Sequence, residues 1–153
     1  MDKKVPLYTL PEPSTALYSS GTKLEVVGGK LTLAFDYYRL REEQIIGVFQ
    51  SGLRFLRVRA YCHRALSHCT LWHVQDAYDT LVEVQGSSWL TELQANFLEH
   101  YSHLPLMEIH HYMIFFAEDG CYEIAAQAWE IVPEIEQALD GTKVDVSTYN
   151  QKH

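Results

Sequence analysis

Basic residues are scarce in this 153-residue chain. Twelve Lys and Arg stand against twenty Asp and Glu, for a formal net charge of −8. Neither a general nucleic-acid coat nor a polybasic membrane binder is built from that balance. Long apolar runs are missing as well: none approaches the roughly 18–20 residues that cross a bilayer. The opening stretch, MDKKVPLYTLPEPSTALYSS, lacks the continuous apolar segment of a secretory signal, because Pro6, Pro11, Glu12 and Pro13 interrupt it. The expected compartment is the cytoplasm, with no membrane partner. Cysteine is sparse and odd in number, so Cys62, Cys69 and Cys121 predict free thiols rather than a disulfide framework.

Catalytic signatures are absent too. There is no CxxC, HExxH or GxSxG. Gly28-Gly29 lies between two strand-like runs, not between a strand and a helix, so it lacks the geometry of a phosphate loop. Paired carboxylates such as Glu42-Glu43 and Glu118-Asp119 fall in expected turns, where charges are ordinarily solvated. No internal repeat or low-complexity run is present, and no cofactor is implied.

What is present is a chain with 47% hydrophobic and 12% aromatic residues, enough for one domain of ordinary size. Charge is spread unevenly. Residues 21–64 carry eight basic and four acidic side chains, whereas residues 65–153 carry two basic and fourteen acidic, a net of −12. Such asymmetry suggests an acidic face turned toward one partner, although interleaved segments of an antiparallel sheet would average it out. Residues 1–20, with three prolines, are expected as an extended arm, residues 21–141 as a single domain, and residues 142–153 as a flexible polar tail.

Periodicity gives the elements. Leu24–Val27 and Lys30–Phe35 around Gly28-Gly29 predict a hairpin, with Leu31, Leu33 and Phe35 on a buried face. The polar stretch 36–43 predicts a loop, and 44–50 a strand. Residues 53–63 alternate, which predicts one strand with Leu56, Val58, Ala60 and Cys62 in the core and Arg57, Arg59, Tyr61 and His63 in water. A short helix is expected in 71–79, then a strand at 80–84. Ser87 caps the main helix, 87–103, whose stripe runs from Trp89 through Leu93 and Phe97 to Tyr101. Runs 107–117 and 121–131 flank Asp119-Gly120 as a second hairpin, and Pro133 starts a terminal helix over 133–140. The sum is an α+β domain: a curved antiparallel sheet of about six or seven strands packed by one main helix, with a small barrel as the alternative.

Function is read from the surfaces that this pattern leaves. The acidic half suggests a non-enzymatic domain that docks on a basic partner protein, in the manner of an immunity or antitoxin protein. Its expected contacts are Asp76, Asp79, Glu83, Glu118, Asp119 and Glu123, with Trp72 and Tyr122 as aromatic anchors. The alternative is a small enzyme or ligand-binding domain that uses Arg57, Arg59, Tyr61 and His63 with His110 or His111, since arginine forks suit carboxylates. His68, Cys69 and His73 have ligand chemistry for zinc without its usual spacing, so no metal is expected. A homo-oligomer through sheet edges or the arm is compatible with each reading.

Overall fold

The β-branched and aromatic runs form more strands than the alternation alone suggests. The computed structural model describes residues 2–11, 22–117 and 119–136, and these form nine strands in two sheets. One sheet orders β1 (Lys3–Thr9), β6 (Thr80–Gln85), β7 (His110–Phe116), β8 (Gly120–Ala126) and β5 (Ala60–Arg64). The other orders β2 (Lys23–Val27), β3 (Lys30–Arg41), β4 (Gln44–Leu56) and β9 (Ala128–Glu136). All strand pairs are antiparallel. No closed barrel forms among the described residues. Between strands lie a 3-10 turn at Leu66–His68 and two helices, α1 (Leu71–Val74) and α2 (Ser88–Tyr101). No helix among the described residues is long and apolar enough to cross a membrane.

The two sheets share one core. Leu31, Leu33, Phe35, Leu53 and Phe55 of the four-stranded sheet meet Leu81, Tyr112, Ile114, Phe116, Tyr122 and Ile124 of the five-stranded sheet. Phe55 lies 5.5 Å from Tyr112 and Phe35 5.6 Å from Phe116, between ring centroids in tilted arrangements. The opposite face of the five-stranded sheet carries a second buried cluster, Val82, Val84, Met113, Phe115 and Cys121, covered by Ala77 with Cys69 and Val74. The segment 65–79 is thus the lid of that face.

The sheets are joined by a bent two-stranded ribbon. β4 pairs with β9 as far as Leu56 opposite Ala128, and β5 pairs with β8 from Ala60 opposite Ala125. Between these pairs, Arg57, Val58 and Arg59 oppose only Ala126 and Gln127. That bulge turns both strands from one sheet into the other. Arg57 takes a left-handed φ of 51°, and cross-links close the bend: Arg59 N–H donates to Ala125 at 2.8 Å and Gln127 N–H to Leu56 at 3.0 Å.

The bend corrects the single strand expected over 53–63. Its buried core side chains are Leu53 and Phe55, Val58 packs against them as expected, and Cys62 is exposed on the far face. Arg57, Arg59, Tyr61 and His63 are exposed as the alternation predicts, with Tyr61 and His63 opposite Ile124 and Tyr122 on edge strand β5. The run 121–131 likewise breaks at Gln127 into two strands of different sheets. Residues 36–41 are strand rather than loop: Tyr37 joins the core, and Asp36 and Tyr38 on either side of it are buried as well. That hairpin closes on Glu42 and Glu43, both at positive φ, a turn with no glycine to announce it. Pro133 opens no helix. It sits in edge strand β9, where the register slips and a missing amide is tolerated. The rest of the expected helix, 137–140, lies outside the described residues. Within the expected arm, Lys3–Thr9 is an edge strand on β6. The main helix is real but covers little, since none of its residues is buried.

Gly120 turns the β7–β8 hairpin at φ +107°, and a β-carbon there would sit 2.1 Å from the Arg64 carbonyl oxygen. Gly120→Ala is expected to destabilise by more than about 3 kcal/mol, strain and clash together. Gly28→Ala, strained but facing open space, is expected to lose only about 1 kcal/mol. Chemical denaturation of the two variants checks the ordering.

Candidate functional site

Three contacts hold the lid segment on the sheet. The Phe115 amide donates to Ala77 O and the Asp79 amide to Phe115 O, both at 2.8 Å, and the Tyr78 ring packs on that of Phe115 with centroids 5.7 Å apart. At the other end, the absence of a side chain on Gly120 lets Arg64 and Leu66 approach the hairpin. α1 begins with a capping box in which His73 Nδ1 accepts the Thr70 amide at 2.9 Å. Burial, reinforced by the Arg64 and Lys4 charges against Glu123, lowers the His73 pKa, which keeps Nδ1 an acceptor. Lys4 reaches from β1 to the carbonyls of Trp72 and Gln75, and its ammonium lies 4.4 Å from the Trp72 ring centroid.

What this segment presents outward is unusual for a lid. Leu66, Leu71, Trp72 and Tyr78 are 49, 77, 38 and 52% exposed. Between and beside them Asp76 and Asp79 hold left-handed backbone, φ 63° and 48°. Aspartate is among the few L-residues that tolerate this region, so the segment can carry both the turn and the charge. Burial raises the Asp79 pKa. The hairpin tip with Asp119 follows Phe116, next to the residue that Asp79 grips.

Beside the lid, under the start of α2, runs a chain of polar side chains that sequence reasoning did not connect. Ser87 Oγ lies 2.7 Å from His111 Nδ1, and His111 Nε2 lies 2.9 Å from Glu123 Oε1. Cys62 Sγ donates to the other Glu123 oxygen at 3.6 Å. An ionised Glu123 only accepts, so Nε2 carries the proton of that bond, and Nδ1 and the Ser87 hydroxyl share the other. The same Ser87 oxygen accepts the Leu90 amide at 3.2 Å and caps α2, while Asp2 takes the Ser88 amide at 2.9 Å. Burial opposes ionisation of Glu123, yet the His111 and Cys62 hydrogen bonds outweigh it and lower its pKa. Burial first, then the Glu123 charge, pushes Cys62 up to about 11, and burial pushes Cys121 higher still, so neither is a ready thiolate. Nucleophile, base and acid types are present in order. However, Ser87 is 4% exposed and its oxygen is committed to the helix. The arrangement fastens α2 to β7 and β8.

The other nominated residues separate. Glu83 and Glu108 both hold His110, on Nδ1 and Nε2 at 2.9 Å each. Tyr122 is buried; its hydroxyl donates to Asp119, and His63 stacks on its ring at 4.3 Å with Nε2 at 2.8 Å from Asp119 O. Of the arginine set, Arg57 is in the bend, Arg59 reaches Met107, Tyr61 and His63 front the core side of β5, and His111 is on the other face. His68 bonds Ser67 and Cys69 Sγ faces the Arg64 and Ala65 carbonyls. No three His, Cys, Asp or Glu lie close enough to hold a metal ion among the described residues. Glu118 lies outside them. Trp72, Asp76 and Asp79 therefore lie together on the lid, whereas Asp119 is held by Tyr122 beside His63, and Glu83, Glu123 and Tyr122 lie elsewhere.

Two stability measurements follow. Ser87→Ala removes a cap and leaves His111 Nδ1 unpaired, for an expected loss of about 2 kcal/mol in denaturant unfolding. Desolvation lowers the His110 pKa, but its two carboxylate hydrogen bonds win and raise it. A raised folded pKa means stability present in full below the unfolded value, near 6.5, and lost as pH rises through the folded one. Unfolding midpoints of His110→Gln and the parent should therefore differ more at pH 6 than at pH 9.

Comparison with known proteins finds no family model, no curated protein and no solved structure that matches the chain.

Proposed function

We propose that this protein is a non-enzymatic binding domain that docks on a basic partner protein through the lid segment 65–79. The reading rests on one observation: a short segment, tied down at both ends, exposes Trp72, Tyr78, Leu66 and Leu71 beside Asp76 and Asp79. Half-exposed aromatic side chains are the residues that anchor interfaces once a partner seals them from water. Carboxylates at their edge supply steering toward Lys and Arg and speed encounter. The excess of acid over residues 65–153 extends that field. The closed state of the Ser87–His111–Glu123 chain supports binding over catalysis. Covering a basic protein's working surface, as an immunity or antitoxin protein does, is the activity that such a face suits.

The two aspartates allow a clean test. Asparagine also tolerates left-handed backbone, so Asp76→Asn with Asp79→Asn removes charge and keeps the turn. Parent and variant chains, the latter with Trp72→Ala added, are used as bait in host lysate at low and moderate salt. A single stoichiometric basic protein should be retained by the parent and lost by the variant. With that protein purified, the Asn pair should slow association roughly tenfold and flatten its salt dependence. Equal retention by both baits, or recovery of this chain alone, would overturn the reading.

A further inference from the structure

A second site lies at the far end of β7 from the hairpin that the lid grips. There the loop leading into β7 runs beside α2 and leaves a groove of about 270 Å³. Its walls are Leu93 and Phe97 of α2 with Leu106, Met107 and Ile109 of the loop, and Arg59 projects into it. We propose that this groove binds a small apolar molecule bearing a single carboxylate, held by the Arg59 guanidinium.

The arginine carries the argument. Arg39 and Arg54 are matched by Glu134 and Glu130 at 2.6 and 3.1 Å. Among the described residues, the Arg59 side chain has one hydrogen-bond partner, the thioether of Met107. A thioether is a weak acceptor, and a guanidinium offers five donors in a planar fork. The nearest acid of the loop, Glu108, is directed to His110 on the opposite side of the extended segment. The arginine is also fixed at its root, since its amide donates to Ala125 in the bend. An unmatched fork at the edge of an apolar slot fits a planar monoanion with a hydrocarbon body. The groove is just below the roughly 300 Å³ at which sites for drug-sized ligands begin, so an acyl or aryl chain fits and a nucleotide does not. Gln94 and Asn96 of α2 complete the wall of the groove. Free fatty acids and the C-terminus of a peptide that ends in an apolar residue share this chemistry.

The site shares no residue with the docking face, so either can fail alone. Calorimetric titration of the purified chain with decanoate, decanol, and a hexapeptide ending in leucine, free or amidated at its C-terminus, tests it. One-to-one binding is expected for decanoate or for the free-acid peptide, and which of them binds names the source. Decanol or the amidated peptide should bind roughly 10- to 100-fold more weakly, and Arg59→Gln should cause a similar loss with Arg59→Lys in between. Arg59 is exposed, so these variants keep the fold, which circular dichroism checks. Equal binding of acid and neutral forms, no effect of Arg59→Gln, or no saturable binding up to 1 mM would each overturn the proposal.

Discussion

The bend at Arg57–Arg59 is the constraint on which the rest of this molecule depends. A single antiparallel ribbon supplies β4 and β9 to one sheet and β5 and β8 to the other. Because the ribbon curls around the shared core, the same side chains that begin the core at Leu53 and Phe55 face Tyr112 across it. A bulge of three residues against two absorbs the change of direction without leaving the crossing amides unpaired. It also decides chemistry. One arginine of the bend is thrown into solvent and the next is aimed at the α2 groove.

The outer face of the five-stranded sheet solves a different problem. It is apolar toward the hairpin, where the lid lies, and polar toward α2. A partly buried carboxylate there is tolerated because imidazole and thiol both donate to it. The helix that meets this polar end is joined to it by a hydrogen-bonded cap more than by burial, since α2 has no buried residue. Two helices on one face are thus attached by opposite means: α1 and its flanks by packing, α2 by polar links.

Much of the architecture was legible. Gly28-Gly29 and Asp119-Gly120 marked their hairpins, and Ser87 marked the start of α2, because turn and cap chemistry is local. What stayed hidden was non-local. Nothing in LRFLRVRAYCHR says that the strand changes sheets at Arg57, since alternation continues through the bend. Glu42-Glu43 hides a turn behind residues that rarely adopt positive φ, and Tyr37 hid a core position inside a polar run. For the candidate sites, Trp72, Asp76 and Asp79 were recoverable because they are sequence neighbours. Ser87, His111 and Glu123 were not, because only strand register brings β7 and β8 under the start of α2.

Strand β1 ties together more than a sheet edge. Asp2 holds the first amide of α2, Lys4 holds the end of α1, and the strand that starts there pairs with β6 more than seventy residues later. A ribosome releases this strand before its partner strand and before both helices. β1 must therefore wait for β6, and its docking closes a loop of long sequence separation, the kind of step that sets a slow folding rate.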